Sequence, residues 1–497
     1  MKVFNNRYNV LAVGLVGLLS CFSVSCKKAL DNDLRNATYE GAFWKKESDV
    51  NGATLGAYAL FRKSMFNQNS FFLWGDAPSG LFNSDSANDK YPYDGGKFRI
   101  PYKENGTQNW TNWYQVVGLS NLILEKIPTI SDDKFEAGRK NYLRGEAYFL
   151  RALSYFYMTR VWGDLPLQLE AITTADQAKL IPRTDSKAIM TQIMSDAAKA
   201  SALLTWEGLD ENQRFRASKA SALALLAHAS AWAGDYQKTI LYTDSLQNRT
   251  DLISLQPTGQ IRKVFSDNNA EENIFVITNK YSNNEASSYD PNISNSIAYI
   301  TISSDIIKGM PNSIPTYWLA PAMIDGLYSK DDTRLKEFVA YKNTTDQKPN
   351  MVKYRDILNV GSGGSFDMRA ESNLVVFRLA DMILLKAEAL NALHRDGEAA
   401  TELNKIRARA GVADISSTGV LLQRDIFLER ERELIGEGHI YFDMVRNSRN
   451  ILSTGVTFFP PWMTKDRYRN KGYLWPIDDA VVNANRLIGQ NQWWQNN

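Results

Sequence analysis

Val50, Ala53, Leu55, Ala57, Tyr58 and Phe61 recur at steps of three and four, the spacing of one helix face, and the pattern stops before Asn67. From 66 to about 112 it dissolves. Gly75, Pro78, Gly80, Asn83, Pro92, Gly95, Gly96, Pro101 and Gly106 alternate there with Trp74, Tyr91, Tyr93, Tyr102 and Trp110. So many turn formers predict a long loop, and rings at that density argue against disorder. Helical periodicity returns over 113–127, 138–162, 185–204, 217–233 and 236–248, with Gly163-Asp164 and Gly234-Asp235 as stops. A new amphipathic run follows the second stop at once, which predicts a helical hairpin over 217–248. Another hairpin, 377–393 with 397–410, turns at His394-Arg395-Asp396-Gly397.

Between 250 and 370 the period weakens while Gly, Ser, Asn and Pro rise, which predicts an irregular insertion packed on the helices. Phe275-Val276-Ile277 is its strand-like island, and Gly361 to Ser365 its flexible connection. Residues 422–448 return to helix, and 451–497 read as an extended tail wrapping the body. The fold class is therefore mainly α: helical hairpins, similar in architecture to tetratricopeptide repeats though unevenly spaced, with long irregular loop insertions.

Ahead of the helices, Lys2 and Arg7 precede an apolar run from Val10 to Val24 that has no acidic residue, the pattern of a secretory signal peptide. Gly14, Gly17, Ser20, Ser23 and Ser25 dilute it below the roughly 20 apolar residues of a membrane span. Cys21 and Cys26, the only cysteines, both follow small residues, so either suits lipid attachment. Whichever is the anchor, the body has no disulfide, and its 44% hydrophobic content must supply the core. Loss of Lys2 and Arg7 reduces the 57 basic residues to 55, against 55 acidic ones. No positive excess remains to neutralise a phosphate backbone, so nucleic acid is not an expected partner.

The usual catalytic signatures are missing: the sequence has no HExxH, GxSxG, GxxxxGK[ST] or GxGxxG, and no cysteine pair at metal spacing. No cofactor and no metal are expected. His228 falls in an apolar helix, His394 in a turn and His439 beside Gly438, and all three are expected to be structural. Around 146–166, Glu146, Arg151 and Arg160 sit in a helix dense in Tyr and Phe, as core charges that snorkel or pair. The run from Glu429 to Arg446 alternates charges, which on a helix are expected to be solvated or paired.

Several strings, in order along nearly the whole mature chain, resemble the SusD/RagB family of outer-membrane nutrient-binding lipoproteins of Bacteroidetes. They begin with Cys26-Lys-Lys-Ala-Leu-Asp31, Phe43-Trp44, Val50-Asn-Gly-Ala53 and Ala57-Tyr58. Gly145-Glu-Ala147, Phe149-Leu-Arg-Ala152, Trp162-Gly-Asp-Leu-Pro166, Ile181-Pro-Arg183, Ala220 to Leu226 and Ala233-Gly-Asp-Tyr236 follow. Arg378-Leu-Ala-Asp381, Lys386-Ala-Glu-Ala389, Leu403-Asn-Lys-Ile-Arg407, Glu429 to Arg446 and Leu474-Trp-Pro-Ile477 complete them.

The resemblance favours Cys26 as anchor, because the family's cysteine lies a few residues before a Leu-Asp pair, here Leu30-Asp31. It implies a signal peptide over 1–25 and one domain over 26–497. That domain has its scaffold at about 28–63, 113–250 and 371–450, a loop-rich ligand region at about 66–112 and 251–370, and the tail at 451–497. It further implies a non-enzymatic, surface-exposed outer-membrane lipoprotein that captures oligosaccharide over a SusC-like TonB-dependent transporter. A helical scaffold binding only protein partners, or a lipid-anchored hydrolase, are the alternatives.

Sugars present flat C–H patches that stack on rings, and hydroxyls that need fixed polar partners. The expected ligand residues are accordingly Trp74, Tyr91, Tyr93, Tyr289, Tyr317 and Trp318, with Asp76, Asn83 and Asp94 as polar partners. Trp110 and Trp113 lead into the helix of Tyr114, Val117 and Leu122 and are expected to pack there instead.

Overall fold

The computed structural model describes residues 43–84, 93–94, 97–98, 106–206, 214–279, 296–343 and 345–495. The expected signal peptide and both cysteines lie outside them. Of the unit Met1–Lys45, only Phe43 to Lys45 are described, with the Phe43 and Trp44 rings edge to face. Lys46–Asn497 forms a second unit.

This unit is mainly helical. Its helices are α1 (Glu47–Phe66), α2 (Ser70–Gly75), α3 (Thr111–Lys126), α4 (Arg139–Trp162), α5 (Ser186–Leu203), α6 (Lys219–Ala233) and α7 (Tyr236–Gln247). After the insertion come α8 (Leu379–Ala392), α9 (Asp396–Ala410), α10 (Gly419–Leu434) and α11 (Ile440–Asn447). Their ends follow local chemistry. Asp185 and Ser218 cap α5 and α6 by accepting from Lys187 N and Ser221 N. Gly234 and Gly411, at φ +82° and +75°, supply the left-handed residue that closes α6 and α9.

Setting aside the short α2, the helices stack in near-sequential order: α1 on α3, α3 on α4, α4 on α5, α5 on α6, α6 on α7, α7 on α8 and α8 on α9. Each therefore buries an apolar stripe between two neighbours, as in helical-repeat proteins. The step from α7 to α8 bridges the whole insertion. Its two ends are brought together by β2 (Asn273–Ile277) pairing antiparallel with β4 (Leu374–Arg378), both strands entirely buried. The strand-like island thus has its partner at the far end of the insertion.

Three expectations need correction. The stretch after Asn67 is not loop throughout: α2 is buried along its whole length, because Phe71, Phe72, Leu73 and Trp74 are needed in the core. The single helix over 422–448 is two, broken at Ile435 to His439 where Gly436 and Gly438 take φ of +79° and +74°. Gly361 to Ser365 is the end of a hairpin joining Ile357–Asn359 to Met368–Ala370.

The tail does wrap, but with short helices such as Lys465–Arg469 and Asp479–Ala484 along it. It is tied by Trp475 N donating to Val161 O and Asp478 N to Gln108 O, at 2.8 and 3.1 Å.

Candidate functional site

Two short strands far apart in sequence form the base of the site. β1 (Phe82–Ser84) and β3 (Tyr317–Leu319) pair antiparallel, with Phe82 opposite Leu319, Asn83 opposite Trp318 and Ser84 opposite Tyr317. Side chains alternate across a strand and opposed residues share a face. Phe82, Tyr317 and Leu319 therefore point inward, where Phe72 meets the rings of Phe82 and Tyr317 at 4.9 and 5.2 Å. Asn83 and Trp318 take the opposite, outer face, where Asn83 is half-buried and Trp318 largely covered.

Lys348 enters from the segment leading into the Asn350–Met351 strand, which lies beside β3 and ties to it through Leu319 N donating to Pro349 O. Its Nζ stands 4.4 Å from the Trp318 ring centroid, and the ring is 9% exposed. Among the described residues, the Lys348 ammonium has no carboxylate partner and the half-buried Asn83 amide makes no hydrogen bond. Asp346, nearby in sequence, is taken up by the backbone N–H groups of Lys342 and Lys348.

Of the expected ligand residues, the structure brings Asn83 and Trp318 together. Tyr93-Asp94 forms a strand against Lys97-Phe98 that lies beside β1, while Tyr91 and Tyr289 fall outside the described residues. Three expectations are corrected by burial. Trp74 is 1% exposed, wedged against Trp113 and Trp162 with Nε1 donating to Thr107 O at 3.1 Å, and has no free ring face. Tyr317 is likewise a core ring. Asp76 is fully buried and accepts from Gly436 N and Gly438 N at 2.9 and 2.6 Å, clamping the break between α10 and α11. Burial raises its pKa to about 7 against the pull of those two N–H groups. Trp110 and Trp113 are buried as expected. Sequence reasoning missed Lys348, for which no motif gives a signal; only the in-out alternation of Tyr317-Trp318-Leu319 separates the two rings.

The charged strings are paired inside the protein rather than solvated. Arg378 bonds Glu272, Glu433 and Glu437, while Arg409 joins Glu272 to Glu433. Arg334 bridges Asp332, Glu429 and Glu433, and Lys353 meets Glu437. Burial pushes the Glu433 carboxyl up, but Arg409, Arg378 and Arg334 outweigh it and hold it well below the usual carboxylate range. On α4, Glu146 pairs with Arg216 and Arg151 with Asp196, whereas Arg160 lies among the rings of Phe156, Tyr157 and Phe442. Burial, with pairing to opposite charges or enclosure among rings, makes these groups structural.

His228, Asp381 and His439 gather with their ligand atoms within 4.8 Å of one another, all buried. Asp381 Oδ2 accepts from His228 Nε2 at 2.6 Å and Oδ1 from Arg430 at 2.8 Å, and the two imidazoles stack at 5.5 Å. An ion there would have to break the hydrogen bond between His228 and Oδ2 and sit beside the Arg430 guanidinium on Oδ1, whose charge opposes it. Burial lowers the His439 pKa to about 4, so that ring packs as a neutral group.

Among the described residues, two hollows lie elsewhere. One of about 330 Å³ is lined by Trp110, Tyr114, Pro166, Ile181, Val481 and Ile488, and its Tyr114 hydroxyl and Asn485 amide are bonded to Pro166 O and Ile181 O. Another of about 380 Å³ lies between Tyr58 and Arg62 of α1 and Phe275 to Ile277 of β2.

Residues 336–494 match the family model described as SusD family, and residues 41–229 the model described as "Starch-binding associating with outer membrane". A SusD-like protein of Formosa agariphila is 25% identical over 546 residues, covering 99% of each chain. A SusD-like protein of Bacteroides ovatus is 23% identical, over 92% of this chain and 86% of the relative. A SusD homolog of Bacteroides thetaiotaomicron superposes with a TM-score of 0.76 at 23% identity, over 91% of this chain and 99% of that one. The last likeness establishes the fold.

Proposed function

The chain belongs to the SusD/RagB family, and on that premise we propose that it is a non-enzymatic lipoprotein of the outer membrane, anchored through Cys26 and exposed at the cell surface. It captures oligosaccharide and delivers it to a SusC-like TonB-dependent transporter. The observation that carries the site is the outer face of the β1–β3 pair. There a Trp ring, and an amide and an ammonium that have no hydrogen-bond or carboxylate partner among the described residues, stand together, the mixture of stacking surface and polar partners that sugars require. Tyr91, Tyr93 and Asp94, from the segment following β1, and Tyr289, upstream of β3, are the further ligand residues of this proposal. The carboxylates of Glu433, Asp443 and Glu388 are locked to arginines and give no support to a hydrolase.

Calorimetric titration with a panel of oligosaccharides tests the proposal. Trp318→Ala is expected to weaken binding by about 2 kcal/mol, roughly thirtyfold in dissociation constant, in protein that still unfolds cooperatively though at a lower melting temperature, since the ring is largely buried. Unchanged affinity would move the site away from β3.

A further inference from the structure

We infer that the oligosaccharide bound at this face is acidic, carrying carboxylate or sulfate groups. The inference rests on the glycan-binding proposal above and adds the chemical class of the ligand. Its basis is the position of Lys348. The ammonium lies 4.4 Å from the centroid of Trp318, the one ring on the outer side of the β1–β3 pair and itself largely covered, so a ligand reaching that ring meets Lys348 first.

The charges around it fix what Lys348 has left to offer. Asp346 accepts from the N–H groups of Lys342 and Lys348, and Asp305 holds the Lys342 ammonium at 2.8 Å. Among the described residues, that leaves Lys348 as a cation whose only charge-related contact is the ring. A neutral sugar stacking on Trp318 must push this cation aside and lose the cation–π contact without replacing it. An acidic sugar also displaces the ammonium from the ring face, but replaces the lost contact with an ion pair shielded on one side by the indole, with Asn83 on the same face of the strand pair. A charge-assisted hydrogen bond is stronger than a neutral one, so the difference between the two ligand classes lies with Lys348.

The test is calorimetry of the mature chain with a panel of uronic-acid and sulfated oligosaccharides, each beside its carboxyl-reduced or desulfated counterpart, at low and high salt. At least one acidic probe is expected to bind about tenfold or more tightly than its neutral counterpart, and to lose that margin as salt rises. Lys348→Met, which keeps the apolar stem, is expected to erase the margin, weakening the acidic probe about tenfold while the neutral probe, which no longer has to displace the ammonium, binds no less tightly. Whether carboxyl reduction or desulfation abolishes the margin identifies which acid is recognised. Neutral probes that bind as tightly as acidic ones, or a Lys348→Met variant that retains the margin, would overturn the inference. Trp318-dependent binding of neutral probes alone would leave the glycan-binding proposal standing and remove only the acidic class. Absence of binding across the panel would count against both.

Discussion

Glu431 of α10 is 4% exposed and makes no hydrogen bond or ion pair among the described residues, and burial pushes its carboxyl from 4.5 to about 8. The folded state therefore holds this proton longer than the unfolded state does. Unfolding releases it, and stability falls as pH climbs from about 4.5 to about 8. Glu431→Gln keeps the shape and removes the titration. Denaturant unfolding at a series of pH values is expected to show a shallower decline in the variant, by on the order of a few kcal/mol over the window. Asp76, raised to about 7, adds to the decline, and an unchanged slope would contradict the role given to Glu431.

Glu433, Glu437 and Asp443 act in the opposite sense. Arginines hold them below the usual range despite burial, so their contribution is lost as pH falls below about 4. Asp76→Ala would orphan the Gly436 and Gly438 N–H groups inside the protein. A loss of about 3 kcal/mol in unfolding free energy is expected. At this scale the sequence was a poor guide to the site. Trp74 and Trp318 both lie among turn residues, and what separates them is a register set by strands 235 positions apart, which no local pattern encodes.

Between elements, a close approach of backbone to backbone lies where α2 ends against the turn joining α10 to α11. A Cβ on Gly75 would stand 2.3 Å from the backbone carbonyl of Gly438, which cannot yield as a side chain could. Gly52 on α1 has nothing within 4 Å of the equivalent position. Gly75→Ala is therefore expected to lower the melting temperature sharply, while Gly52→Ala raises stability by about 0.5–1 kcal/mol through helix propensity. Equal effects in thermal unfolding would mean that the Gly75 contact does not hold the turn.

The long helices were legible because each carries an apolar stripe bounded by a cap. α4 and α6 begin and end within two residues of the expected positions. The turn was not, because Gly436 and Gly438 break an otherwise continuous periodic pattern, and only the approach of Asp76 and Gly75 explains the break. The hidden helix α2 was missed for a related reason: six residues are too few to show a period.

In the whole molecule, the helical stack runs through the insertion without interruption, since α7 meets α8 and β2 meets β4. The insertion and the segment after α2 are thereby free to meet each other on the outside of the stack, which is where β1 and β3 pair. The fold was legible in the order of family strings, while this meeting of two remote segments was not. A second whole-molecule expectation is attachment at Cys26. Mass spectrometry of the mature N-terminus is expected to find an acylated peptide beginning there, with two or three chains at about 0.8 kcal/mol per buried CH₂ giving a stable anchor. A lipidated peptide beginning at Cys21, or an unmodified one, would contradict it. The most direct test of the central claim is a crystal structure of the mature chain with the tightest-binding oligosaccharide of the panel. The expected result is a sugar ring within about 4 Å of the Trp318 indole, with a hydroxyl on the Asn83 amide. A sugar seated instead in the hollow of Trp110, Ile181 and Ile488, or beside Tyr58 and Phe275, would contradict it.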